Sequence, residues 1–150
     1  MNEQQYRTVI GWFNARPAAK KALRAVSTGS AVAVYLLYLG LLAWLAWHAM
    51  WAPLGVTAVV PAAAFVVGTA LRAAINRPYT KYGFVPLFPK DKTGQSMPSR
   101  HCFSAAAIAA TVWYVLPPLG AVLAVLAVII AVSRVVTGVH FVSDVLAGLA

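Results

Sequence analysis

The amino-acid sequence points to an all-α integral membrane protein, and three observations carry that expectation. The chain of 150 residues is 61% hydrophobic and only 10% charged, with a mean hydropathy of +0.76, whereas a soluble domain carries about 25% charged residues. The charges are unevenly placed: no Asp, Glu, Lys or Arg lies between Arg24 and Arg72, nor between Arg100 and Arg134. Each gap is interrupted by proline, at Pro53 and at Pro117-Pro118, where a chain that crosses a membrane would turn.

The elements follow in order. Met1 to Arg24 interleaves Arg7, Arg16, Lys20, Lys21 and Arg24 with Val9, Ile10, Trp12 and Phe13. That pattern suits an amphipathic helix on the membrane surface over residues 3–15, ended by Pro17. No small-residue cleavage site follows an apolar core, so the segment does not read as a secretory signal. The first charge gap has room for two helices of about 20 residues. They are expected over 27–51 and 54–75, with Trp51-Ala52-Pro53-Leu54-Gly55 as the turn. The second gap supplies a helix over 101–116, short for a full span, and another over 119–137. A last helix over 140–150 would be about 16 Å long against a hydrocarbon core of about 30 Å. The natural protein is therefore expected to continue past Ala150. The chain reads as a basic amphipathic segment, 1–26, and one membrane-embedded domain, 27–150, with about five transmembrane helices in a helical bundle.

Composition narrows the chemistry. Three acidic residues, Glu3, Asp91 and Asp144, stand against twelve Lys plus Arg, for a net charge of +9. So few carboxylates cannot cage Ca²⁺ or Mg²⁺, which take several oxygen ligands. One cysteine, Cys102, leaves no intrachain disulfide and no cysteine-built zinc site. No metal and no cofactor are expected, and the implied partners are a bilayer and an anionic lipid, not nucleic acid.

In so apolar a chain the polar residues stand out, because ionisable groups in membrane segments are costly and mark function. They gather in three places: Arg72 to Tyr79, Ser96 to His101, and Ser133-Arg134 with Gly138, His140 and Asp144. By the helix count all three lie on one side of the membrane. Arg72, Arg77, Arg100 and Arg134 offer planar forks that match phosphate oxygens. His101 and His140 can act as nucleophile, base or acid near neutral pH. Asp144 follows His140 by four residues, which on a helix shares a face. A carboxylate on one imidazole nitrogen fixes the tautomer and raises the basicity of the other. The set reads as phosphoryl transfer with arginines supplying the charge stabilisation. His48 has no acidic partner nearby and reads as a helix-packing residue, Lys81, Lys90, Asp91 and Lys92 as solvated loop charge, and Trp12, Trp44, Trp47, Trp51 and Tyr35 as interface anchors.

At these residues the chain resembles the type 2 phosphatidic acid phosphatase superfamily, the histidine-dependent membrane phosphatases. That family carries Lys-x6-Arg-Pro, Pro-Ser-Gly-His and Ser-Arg-x5-His-x3-Asp. The third block is matched in full by Ser133-Arg134, His140 and Asp144. The second is matched by Pro98-Ser99-Arg100-His101, with arginine in place of glycine. In the first, Arg77-Pro78 leaves Ala70 where the lysine belongs; alternatively Arg72 stands for the lysine at a shorter spacing, the reading favoured here. The resemblance spans residues 68–150. It implies His140 as the nucleophile, Asp144 as its orienting partner and His101 as general acid and then base. Arg72, Arg77 and Arg134 would hold phosphate oxygens, with Ser99 and the amides around Arg100 completing the cradle. Arg100 itself would add a cation or point outward.

The implied activity is metal-free hydrolysis of a lipid phosphate or pyrophosphate in the cell membrane, through a phosphohistidine. Phosphatidic acid, phosphatidylglycerol phosphate, diacylglycerol pyrophosphate and undecaprenyl pyrophosphate all fit, because the motif reads phosphate and not the tail. The alternatives are a non-catalytic anionic-lipid binder, which leaves the His140/Asp144 spacing unexplained, and haloperoxidase-like vanadate chemistry on the same motif, which the hydrophobicity opposes. The positive-inside rule places the site on the cytoplasmic side, whereas the resemblance implies an outward-facing site, and the sequence carries no oligomeric signal.

Overall fold

Pro17 separates one helix from the next and starts the second. α1 (Glu3–Asn14) ends just before it, and α2 (Pro17–Trp47) begins on it. At the first helical position proline has no needed N–H to lose, and its φ is already helical. Lys20, Lys21 and Arg24 therefore belong to α2, which starts well before the expected residue 27. The charge gap marks where the chain becomes apolar, not where the helix begins. The opening turns of a membrane helix reach the headgroup level and carry basic residues there.

The computed structural model describes residues 3–76, 86–88 and 96–149, and among them the chain is helical with no strand. α3 (Trp51–Ile75), α4 (Arg100–Val115), α5 (Pro117–Val136) and α6 (Val142–Leu149) complete the order. The first turn is tighter than expected. It occupies His48–Met50, with Ala49 at φ 53°, while Pro53 and Gly55 lie inside α3. Pro53 fits the first turn of a helix for the same reason as Pro17. The α4–α5 turn falls on Leu116, directly before Pro117, as the prolines imply.

α4 is the central helix and packs against α2, α3, α5 and α6. Cys102, Ala105, Ile108, Ala109 and Val112 recur along it at helical spacing and are buried. They meet Val34, Leu41 and Leu45 of α2, Leu123, Ala127, Ile130 and Ala131 of α5, and Val145 of α6. The alanines on α4 and α5 let the two backbones approach closely, as small residues do between membrane helices. The outward faces are apolar too: Leu36, Val59, Val66 and Val125 are all more exposed than buried. Water would not tolerate so continuous a surface, whereas lipid covers it without cost. α2, α3 and α5 are each long and apolar enough to cross a membrane. The molecule is a helical membrane protein.

Candidate active site

The end of α3 brings the first charge inward. Arg72 is 4% exposed, and its Nη1 donates to the carbonyl of Pro98 at 2.8 Å. A buried guanidinium needs such acceptors, since an uncompensated charge is expelled from an apolar interior. The bond ties α3 to the segment that leads into α4. Asn76, left-handed at φ 41°, closes α3 by returning its N–H to the Arg72 carbonyl. Arg77, and with it Pro78 and Tyr79, lies outside the described residues, as do Lys81, Lys90, Asp91 and Lys92.

The start of α4 supplies the second group. Ser96 and Ser99 are fully buried. Ser99 holds the N-cap position, yet its hydroxyl makes no capping bond, although serine is among the best residues for one. Its Oγ is buried without a hydrogen-bond partner of good geometry, and the Cys102 thiol is the polar group beside it. Its backbone N–H is committed, donating to the Asp144 carbonyl at 2.9 Å. The opening N–H groups of α4 have no intrahelical acceptors and carry the positive end of the helix dipole, an arrangement that receives anions.

The end of α5 and the start of α6 supply the third group. Arg134 lies in the last turn of α5, half-buried and within electrostatic range of Cys102. Gly138 follows at φ 72°, a left-handed conformation that favours glycine, and it lets the chain reverse toward α6. The Thr137 carbonyl accepts from the Leu87 N–H at 3.0 Å, which pins this turn to residues 86–88. His140 is 2% exposed and Asp144 is fully buried. Nδ1 of His140 lies 3.7 Å from Oδ2 of Asp144, an ion-pair separation slightly longer than a hydrogen bond. The two meet across a turn, since α6 begins only at Val142. Asp144 Oδ2 also accepts the Phe141 N–H at 3.1 Å, which orients the carboxylate from the same turn. Gly148 then lets α6 lie against α4: a Cβ there would stand 2.9 Å from the Ser99 carbonyl oxygen.

Arg72, Ser99, Asp144 and His140 are thus linked by a short run of contacts through Pro98. The remaining expected residues sit differently. His101 is half-buried and lines a small cavity with Ala31, Val34, Tyr35, Ala105 and Ile130, at the seam of α2, α4 and α5. Arg100 is exposed, its guanidinium 5.9 Å above the ring of Phe65 on α3, on the lipid-facing flank. Two contacts were not foreseen from the sequence. Tyr6 of α1 donates its hydroxyl to the His140 carbonyl at 3.2 Å, and Ser27 of α2 pairs with Ser133 at 3.1 Å. Tyr6 shares a helical face with Ile10 and Phe13, so its inward direction is readable, but its target is 134 positions away and is not.

The fold resembles the crystal structure of the first transmembrane PAP2 type phosphatidylglycerolphosphate phosphatase from Bacillus subtilis. The TM-score is 0.55 at 21% sequence identity, over 97% of this chain and 86% of that one. No curated protein sequence matches. The PAP2 superfamily model matches residues 75–150, a stretch that includes the buried Ser99, His140 and Asp144, and the chain belongs to that superfamily.

Proposed function

We propose that this protein is a metal-independent lipid phosphatase of the cell membrane that works through a phosphohistidine. The observation that carries the reading is the buried His140–Asp144 pair, bonded through Ser99 to the opening of α4. Nδ1 of His140 is the nitrogen turned toward Asp144, so Nε2 is the attacking one. Attack forms the Nε2–P bond and breaks the bond from phosphorus to the leaving oxygen. His101 gives that oxygen a proton, as an alcohol or a phosphate departs. Water then attacks the phosphohistidine while His101 accepts a proton, which releases inorganic phosphate and restores the imidazole.

Charge on the transferring group is met by fixed donors. Arg72 and Arg134, with Arg77 as the superfamily pattern implies, face the non-bridging oxygens. The Ser99 hydroxyl and the α4 amides complete the cradle. Arg100 stands on the outer flank and serves the approach of an anionic headgroup. Of the acids, Glu3 is paired with Arg7 on α1 and Asp144 with His140, so the described carboxylates do not form a metal-binding set.

The test is phosphate release in EDTA from purified phosphatidic acid, phosphatidylglycerol phosphate, diacylglycerol pyrophosphate and undecaprenyl pyrophosphate. Phosphatidylglycerol phosphate comes first, because the similar Bacillus subtilis structure is of a phosphatidylglycerolphosphate phosphatase. Release that persists in EDTA and is inhibited by vanadate is the expected result. Loss on chelation with recovery in Mg²⁺ would refute the metal-free mechanism. Vesicle binding without release would make the protein an anionic-lipid binder, and halide oxidation with vanadate a haloperoxidase-like protein.

A further inference from the structure

We propose that Tyr6 is a positioning residue for the nucleophile, which makes the active site depend on α1. The inference rests on the phosphatase reading above for its kinetic consequence, but not for its geometry. α1 is amphipathic and mostly exposed, and Tyr6 is its buried residue, 2% exposed. The Tyr6 hydroxyl donates to the carbonyl of His140. That carbonyl belongs to the same peptide unit as the Phe141 N–H, which donates to Asp144 Oδ2. One peptide plane is therefore held at both ends, by Tyr6 on its oxygen and by Asp144 on its nitrogen.

The arrangement has two consequences. A donor on the oxygen polarises the peptide and strengthens the N–H on its other side, as in any chain of hydrogen bonds. The Asp144 carboxylate is held more firmly, and with it the 3.7 Å approach to His140 Nδ1. The plane also fixes the direction of the His140 Cα–Cβ bond, and so of the ring. Tyr6 reaches that carbonyl from the opposite end of the chain, 134 positions away. Undocking α1 would remove the Tyr6 restraint from the His140 peptide and leave the Asp144 carboxylate on its nitrogen side.

The test compares the full-length wild type with Tyr6→Phe, which keeps the buried ring and removes the donor, and with Thr8→Ala on the exposed face of the same helix. Amide exchange and kinetics on the same lipid phosphate are measured in mixed micelles. Tyr6→Phe should lower kcat about fivefold, in the range of one neutral hydrogen bond, with KM unchanged. Exchange should rise across residues 138–146 and stay constant across α4, while Thr8→Ala matches wild type in both. Unchanged exchange at 138–146, a rise in KM alone, or exchange that rises throughout the bundle would overturn the proposal. If the wild type releases no phosphate from any lipid, the phosphatase reading fails by itself, and the exchange pattern alone still decides for or against Tyr6.

Discussion

At the end of the bundle that carries Trp47 and Trp51, the backbone closes on itself locally. His48, Ala49 and Met50 donate to Trp44, Ala46 and Leu45, and Leu116 donates to Val112. The pocket there, about 470 Å³, is lined by Leu41, Trp44, Leu45, Met50, Val115, Leu116 and Leu119 among others, and is almost wholly apolar. At the end that carries His140, hydrogen bonds reach across the sequence: Arg72 to Pro98, Ser99 to Asp144, Leu87 to Thr137, Tyr6 to His140 and Ser133 to Ser27. α2, α3, α4 and α5 run to both ends, while α1 and α6 add Tyr6 and Asp144 at the His140 end, and the difference is one of task. A membrane helix needs only its own next turn to satisfy its backbone. A group of buried charges must be held by several helices at once, because each charge needs partners that its own helix cannot provide.

The largest expected effect tests whether that asymmetry is catalytic. His140→Ala should reduce turnover to background and abolish labelling by radioactive phosphate, because the proposed mechanism forms its phosphoenzyme on that imidazole. At the far end, Trp51→Phe should leave turnover within about twofold, as exposed substitutions do. His101→Ala should lower turnover by about 10²–10⁴-fold, the worth of a general acid. The loss should shrink with nitrophenyl phosphate, whose leaving group needs little protonation, and acid-labile phosphoprotein should still form. If His140→Ala retains that label while His101→Ala loses it, the two roles are reversed.

Arg72 separates holding the site together from acting in it. Arg72→Ala deletes the bond to the Pro98 carbonyl and should lower stability by about 2–3 kcal/mol, as for a hydrogen bond to a charged group whose partner is left buried. Thermal unfolding in detergent measures this. Arg72→Lys should recover part of the stability, since an ammonium reaches the carbonyl, but less of the activity, because it lacks the planar fork for phosphate. Equal recovery of both would make Arg72 a structural residue only.

Much of this was legible in the sequence, and the boundary is physical. Helix number and order follow from charge gaps and prolines, because apolar length and the missing proline N–H act locally. The α2 start was misplaced because Lys20 and Arg24 belong to a helix that extends past its apolar part. The turn at His48–Met50 was misplaced because Pro53 is as welcome in a first helical turn as in a loop. The fixed offsets of Ser133, Arg134, His140 and Asp144 singled out residues of which His140 and Asp144 now lie 3.7 Å apart. The Tyr6 and Ser27 contacts were not visible, since nothing in a lone tyrosine or serine states which distant backbone or hydroxyl it will meet. The Arg100 guanidinium was open for the same reason: composition gives its charge but not its direction.

The smallest expected effect uses the same substitution at both ends. Gly40 lies on the rim of the apolar pocket, and a Cβ there meets nothing within 4 Å. Gly148 lies where α6 crosses α4, and its Cβ would meet the Ser99 oxygen at 2.9 Å and the Cys102 Cβ at 3.1 Å. Gly40→Ala should raise stability slightly, by about 0.5–1 kcal/mol, because alanine loses less backbone freedom in a helix. Gly148→Ala should cost about 1–3 kcal/mol, because a backbone oxygen and the packed α4 helix must give way. The displaced α6 also carries Asp144, so turnover should fall together with stability. Thermal unfolding and phosphate release on the two variants in parallel decide the point. If Gly148→Ala unfolds like wild type and turns over at full rate, α6 is not held closely against Ser99. The buried carboxylate would then not depend on the α4–α6 crossing for its place beside His140.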